Sequence, residues 1–208
     1  QSQQGAPESV LLAMTAPDSV VSPVRLKDGS KIWLNGNSTL TWLGKRSVRL
    51  SGEAYFSVEK NPEVPFTVIT DLLTVSVTGT TFNVRAFSAQ EEGVVSLYTG
   101  RVNVLAGNQE LTIRPGEELH WDRSKQQGVI SSLTAGKPGW MLDRLRFEQV
   151  SLQELLNSIG WYYDMEVDDS GLLPDSERFI FRLNGNESPG EVLKMLQKIH
   201  GGFTYTIR

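Results

Sequence analysis

The sequence predicts a mainly β chain that ends in a small α+β unit. Three observations carry this. Apolar and polar residues alternate with period two through most of residues 1–138, turn-forming residues interrupt that alternation at short intervals, and the last third repeats a strand–helix–strand pattern. The first two are the signature of short half-buried strands. The third is an internal duplication, and a small duplicated unit of this kind suits docking better than catalysis.

Residues 1–22 are dominated by Gln, Ser, Ala and Pro around one apolar patch, Val10-Leu11-Leu12, and read as a flexible lead-in. Residues 23–134 read as an all-β domain. Ile32/Leu34, Leu40/Trp42, Val48/Leu50, Ala54/Phe56/Val58 and Val75/Val77 alternate with polar neighbours, and Phe82/Val84, Val95/Leu97, Val102/Val104 and Leu111/Ile113 continue the pattern. Asp28-Gly29, Asn35-Gly36, Ser51-Gly52, Gly79, Gly100, Gly107-Asn108 and Pro115-Gly116 supply the breaks. A sandwich, a jelly roll and a short solenoid all satisfy this spacing. Residues 135–139, Ala-Gly-Lys-Pro-Gly, read as a linker.

Residues 140–208 read as βαββαβ. Ser151 and Ser188 each precede a Glu by three residues, the capping box that satisfies free amides at a helix start. Pro189 sits at a first helical position, where its missing N–H is harmless. Leu152, Leu155, Leu156 and Ile159 recur at helical spacing, as do Val192, Leu193, Leu196 and Ile199. Gly160 and Gly201 stand where left-handed C-caps are expected. Leu145–Val150 and Phe179–Leu183 lead into the helices, and Tyr162–Val167 and Phe203–Ile207 follow them as strands.

Composition excludes several function classes. The 208-residue chain has no cysteine, which removes disulfides, thiolate catalysis and Cys-ligated zinc. His120 and His200 lie far apart with no third ligand in register, so no metal or cofactor is expected. Net charge is −4; residues 139–208 hold 7 basic and 11 acidic side chains, whereas residues 1–138 hold 13 of each. No basic stripe suited to nucleic acid exists. The acidic surplus is a solvated surface or a face for a basic partner. No apolar run approaches the ~18 residues of a membrane span, and no secretory signal opens the chain. Its start at Gln1 rather than Met suits a fragment of a longer protein.

No nucleophile elbow, phosphate loop or His-Glu-x-x-His is present. The pairs Glu91-Glu92, Glu117-Glu118 and Asp168-Asp169 are adjacent, so on extended backbone they point to opposite faces. The expectation is a protein without enzymatic activity. Trp33 is out of phase with Ile32 and Leu34 and should face away from them, packed under a neighbouring loop or standing outward, while Trp42 is in phase with Leu40 and should face the core. An outward tryptophan on a β scaffold would suit a carbohydrate-binding module, which is the alternative reading.

Leu26-Lys27-Asp28-Gly29-Ser30-Lys31-Ile32-Trp33-Leu34-Asn35 resembles the Leu-x-Asp-Gly-Ser-x-Val-Trp-Leu-Asn opening of the FecR-type regulatory domain. Leu50-Ser51-Gly52-Glu53-Ala54-Tyr55-Phe56-Ser57-Val58, Pro65-Phe66-Thr67-Val68 and Val77-Thr78-Gly79-Thr80-Thr81-Phe82-Asn83-Val84 are similar to later motifs of that family, as are Gly100-Arg101-Val102 and Pro115-Gly116-Glu117. Lys27 departs from the proline common there. Phe147–Ile207 resembles the small C-terminal domain that often follows, related to the signalling domains of secretins and TonB-dependent transporters. The resemblance implies a solenoid-like β-domain, structural roles for Gly29, Gly52, Gly79, Gly100 and Gly116, and no catalytic residues. It implies a periplasmic sensor from a single-pass inner-membrane anti-sigma factor. The implied partners are the N-terminal signalling domain of a TonB-dependent outer-membrane receptor and, through a cytoplasmic domain absent from this chain, an extracytoplasmic-function sigma factor. Strand addition is the simplest contact between such domains. In a split βαββαβ sheet the outer strands would be Tyr162–Val167 and Phe203–Ile207, which makes Tyr162, Met165, Phe203 and Tyr205 the candidate partner-binding residues.

Overall fold

A computed structural model describes residues 10–14, 23–133, 136–143, 145–168, 170–172, 177–183, 187–199 and 203–206. The chain divides into two compact units, Gln1–Gly136 and Lys137–Arg208.

The first unit contains β1 (Val10–Met14), β2 (Val24–Arg25), β3 (Lys31–Leu34), β4 (Thr39–Gly44), β5 (Ser47–Val58), β6 (Phe66–Ile69) and β7 (Thr74–Val77). It continues with β8 (Thr80–Ala86), β9 (Glu92–Thr99), β10 (Val102–Ala106), β11 (Gln109–Ile113), β12 (Glu117–Asp122) and β13 (Gln127–Ser132). The strands join one nearly closed, barrel-like sheet whose main path runs β11-β10-β7-β6-β5-β8-β9-β12-β13. The mainly β class is as expected. Only β5–β6 runs parallel among the described strand pairs of this unit. A solenoid stacks its coils as parallel strands, so the antiparallel roll stands nearer the jelly-roll alternative. The apolar patch of the lead-in forms β1, which pairs with β4.

The 12-residue β5 organises the unit. Its first half lies between β4 and β6, and its second half lies between β3 and β8. The chain was expected to break at Ser51-Gly52, but the strand runs through. Gly52 has φ +121°, and a Cβ there would lie 2.6 Å from the Ser38 Cα. Glycine therefore lets two strands approach and the ladder change partners without ending. Val48, Leu50, Ala54, Phe56 and Val58 keep one inward phase across that point. Phe56 stacks on Phe82 at 4.8 Å and 8°, in a core with Phe66, Val84, Leu97 and Trp121. Gly29, Gly79, Gly100 and Gly116 likewise hold positive φ.

A buried arginine closes the other end of β5. Lys45 (φ 48°) and Arg46 (φ 58°) form the two-residue turn between β4 and β5, a left-handed geometry usually given to Asn or Gly. Arg46 donates from Nε to Asp28 Oδ2 at 2.8 Å, from Nη1 to the Val64 carbonyl at 2.6 Å and from Nη2 to the Glu59 carbonyl at 2.7 Å. Burial opposes the charge on Asp28, but the Ser30 amide and hydroxyl and the Arg46 guanidinium outweigh it and hold that carboxyl below its usual range.

Trp33 is only 6% exposed and packs edge-on against Tyr55 at 5.5 Å, rather than standing out in solvent. Trp42 is half-buried against the core.

The second unit holds α1 (Gly139–Asp143), β14 (Arg146–Val150), α2 (Leu152–Tyr163), β15 (Glu166–Asp168), β16 (Phe179–Arg182), α3 (Pro189–Ile199) and β17 (Thr204–Thr206). This is the expected small α+β unit with one short extra helix, α1.

Candidate partner-binding surface in the C-terminal unit

Both predicted capping boxes form. The Ser151 amide donates to Glu154 Oε2 at 2.8 Å, and the Glu154 amide donates back to Ser151 Oγ at 3.2 Å. Ser188 and Glu191 repeat the exchange at 3.1 and 3.4 Å. These bonds hold the Glu154 and Glu191 carboxyls below their ordinary range, Ser151 and Ser188 respectively being the main cause. Leu152, Leu155, Leu156 and Ile159 are buried under α2, and Val192, Leu193 and Leu196 under α3. Ile199 is 60% exposed, so the apolar stripe of α3 outruns the surface it covers.

The expected end of α2 is corrected. Gly160 lies inside the helix, which runs to Tyr163 because Tyr162 falls three residues after Ile159 on the same buried stripe. Asp164 is the left-handed residue (φ 57°), and the Met165 amide donates to the Gly160 carbonyl at 2.8 Å in a Schellman-type closure. Gly160 still matters for size: a Cβ would come within 3.1 Å of the Met165 carbonyl oxygen. Gly201 lies outside the described residues.

The four candidate residues therefore occupy three settings. Tyr162 is helical and 1% exposed, Met165 precedes β15 and is 8% exposed, and Phe203 precedes β17 and is 5% exposed. Tyr205 lies on β17 opposite Val167. The Lys137 ammonium sits 3.9 Å from the centre of the Tyr162 ring, and burial pushes its pKa down to about 8. Tyr163 donates its hydroxyl to the Glu187 carbonyl at 2.9 Å.

Strand pairing differs from the split order. β14 pairs antiparallel with β16, and β15 pairs antiparallel with β17, as two separate two-stranded sheets among the described residues. The two strands expected as opposite outer edges are thus each other's partner. Each strand of one repeat pairs with its own equivalent in the other. β15 displays Glu166 and Asp168 on one exposed face. β16 displays Ile180, 74% exposed.

The β unit holds one cluster that adjacency in sequence concealed. His120 on β12 has Nδ1 2.9 Å from Glu92 Oε1 and Nε2 2.8 Å from Glu118 Oε1, and Ser96 donates to the other Glu118 oxygen. Glu92 lies on β9, so only the β9–β12 register brings these groups together. Burial lowers the imidazole pKa, but the hydrogen bonds to Glu92 and Glu118 prevail and raise it. His200 lies outside the described residues. Among the described residues no group of three or more His, Asp or Glu could hold a metal ion, and no helix is long and apolar enough to cross a membrane.

The family model described as FecR protein matches residues 14–103, and that described as FecR, C-terminal matches residues 144–208. Two crystal structures, each of a proposed anti-sigma factor from Parabacteroides distasonis ATCC 8503, share the fold. The first is 23% identical with a TM-score of 0.60, and the second is 24% identical with a TM-score of 0.58. In both, the match covers 93% of this chain and 92% of the other. No curated protein sequence matches significantly.

Proposed function

We infer a sensing and relay role for this chain, which belongs to the FecR family of anti-sigma regulators. The observation that carries the reading is the succession of both family models on one chain, one in each compact unit. The chain is then the periplasmic part of a regulator anchored in the inner membrane. It receives a signal from the N-terminal signalling domain of a TonB-dependent outer-membrane receptor. It passes that signal to an extracytoplasmic-function sigma factor held by a cytoplasmic domain of the parent protein. Its work is regulatory rather than catalytic. The carbohydrate-binding alternative rested on an outward Trp33, which is buried.

The receptor domain docks by strand addition to the β15–β17 pair. Backbone ladder groups at that edge supply affinity, and the exposed Glu166 and Asp168 steer a basic partner strand. In this reading the buried Tyr162, Met165 and Phe203 support the strands from beneath, and Tyr205 lies on β17. Titration calorimetry with the N-terminal signalling domains of TonB-dependent receptors from the same organism tests the reading. Wild type should bind, and a Glu166→Lys/Asp168→Lys variant should bind roughly tenfold more weakly, since close interfacial charges carry that order of coupling. Equal binding by the variant removes this edge as the site. Absence of binding by wild type removes the relay itself.

A further inference from the structure

Strand β13 ends the main path of the sheet. All six of its residues pair with β12, from Gln127 opposite Asp122 to Ser132 opposite Glu117, and no described strand lies on its other side. Five of the six are exposed, and no described strand of this unit is hydrogen-bonded to that edge. Val129 and Ile130 are 54% and 43% exposed and, as neighbours on a strand, face opposite sides of the sheet.

Free edges in soluble proteins are usually blunted by charge, proline or a bulge. The other edges of this unit follow that rule: β11 carries Glu110, β2 carries Arg25, and β1 is bulged between Leu11 and Ala13. β13, Gln-Gly-Val-Ile-Ser-Ser, has none of these devices. It presents about 20 Å of regular, uncharged ladder.

We propose that β13 is a self-association edge, through which a second copy of this chain pairs antiparallel about a two-fold axis. Charge selects this occupant. A strand without ionisable groups offers no steering to a charged partner, while two copies of it meet with no like charges opposed. The two-fold register that sets Val129 opposite its own copy places each Ile130 beside the other chain's Gly128. Leu111 covers that glycine, at 2.7 Å from where its Cβ would stand, so apolar surface meets apolar surface. One six-residue pairing falls well short of the roughly 1,200 Å² of a stable interface, so the dimer is weak and reversible.

Sedimentation equilibrium up to millimolar concentration, with hydrogen exchange at both ends of the range, tests this. Wild type should dimerise, with amide protection gained in β13. Val129→Lys and Val129→Glu, changes at an exposed side chain, should each weaken the dimer at least about tenfold through opposed like charges. Their equimolar mixture should restore association. A wild-type chain that stays monomeric at millimolar concentration overturns the proposal. So does a dimer indifferent to both substitutions, or a mixture that fails to re-form while each variant keeps the native circular dichroism.

Discussion

The two units reach order by opposite routes. In the β unit, one strand carries the architecture: β5 contacts four neighbours, and Arg46 at its start is held by Asp28, Glu59 and Val64, 13 to 18 residues away in sequence. In the C-terminal unit, order begins locally, with α2 and α3 each capped at the start by a serine and a glutamate three residues apart. The lesson concerns where damage spreads. A fault at β5 disturbs the pairing of four strands at once, whereas a fault at a cap stays within one turn.

Substitutions can break that contrast. The largest effect is expected from Gly52→Ala, whose Cβ would overlap Ser38 in a backbone conformation that side chains avoid. A loss of about 4 kcal/mol or more is expected in urea unfolding, enough to unfold a marginal domain. A variant within 1 kcal/mol of wild type would show that β5 can end at that point. Next is Arg46→Ala, which leaves two carbonyls and the Asp28 carboxylate without their buried donor. About 3 kcal/mol should be lost, and Arg46→Lys should recover only part of it, because an ammonium cannot match the three-way fork.

Ser151→Ala should cost only about 1 kcal/mol. Faster hydrogen exchange in the first turn of α2, with the β5 amides unchanged, would sharpen the contrast. Exchange that rises throughout β5 would erase it.

The smallest effect is tied to pH. His120 faces Glu92 and Glu118, with Val94 and Val129 opposite it on the flanking strands. Its folded pKa is raised, so its contribution is complete below the unfolded value near 6.5 and is lost as pH rises through the folded value. With the side chain 38% exposed, solvent screens much of it. NMR titration should place the His120 midpoint above 6.5, and His120→Gln should flatten the melting temperature between pH 6 and 8. A midpoint at or below 6.5 would contradict the bridged geometry.

Much of this was legible in the sequence, and the exceptions share a cause. Local signals were reliable: Ser151, Ser188 and Pro189 mark helix starts, and alternation from Ile32 to Ile113 marks strands that exist. Residues whose role depends on distant partners were misread. Gly52 resembles a terminator unless Ser38 is known to lie against it, and Gly160 resembles a cap unless Tyr162 is known to be buried. Trp-Tyr-Tyr favours strand by propensity, but helical burial overrides it. Arg46 and the His120 pair of carboxylates carried no sequence signal, because β-register alone creates their contacts. At the candidate surface, the duplicated strands were legible but their like-with-like pairing was not.

The exchange of partners along β5 also sets how the β unit bears tension. Over Ser47–Arg49 and again over Ala54–Ser57 the strand is laddered on both flanks, antiparallel to three neighbours and parallel to β6. A pull along its axis loads those hydrogen bonds in shear, so they must yield together instead of unzipping singly. The unit therefore resists extension along the two doubly laddered stretches of the strand that organises it.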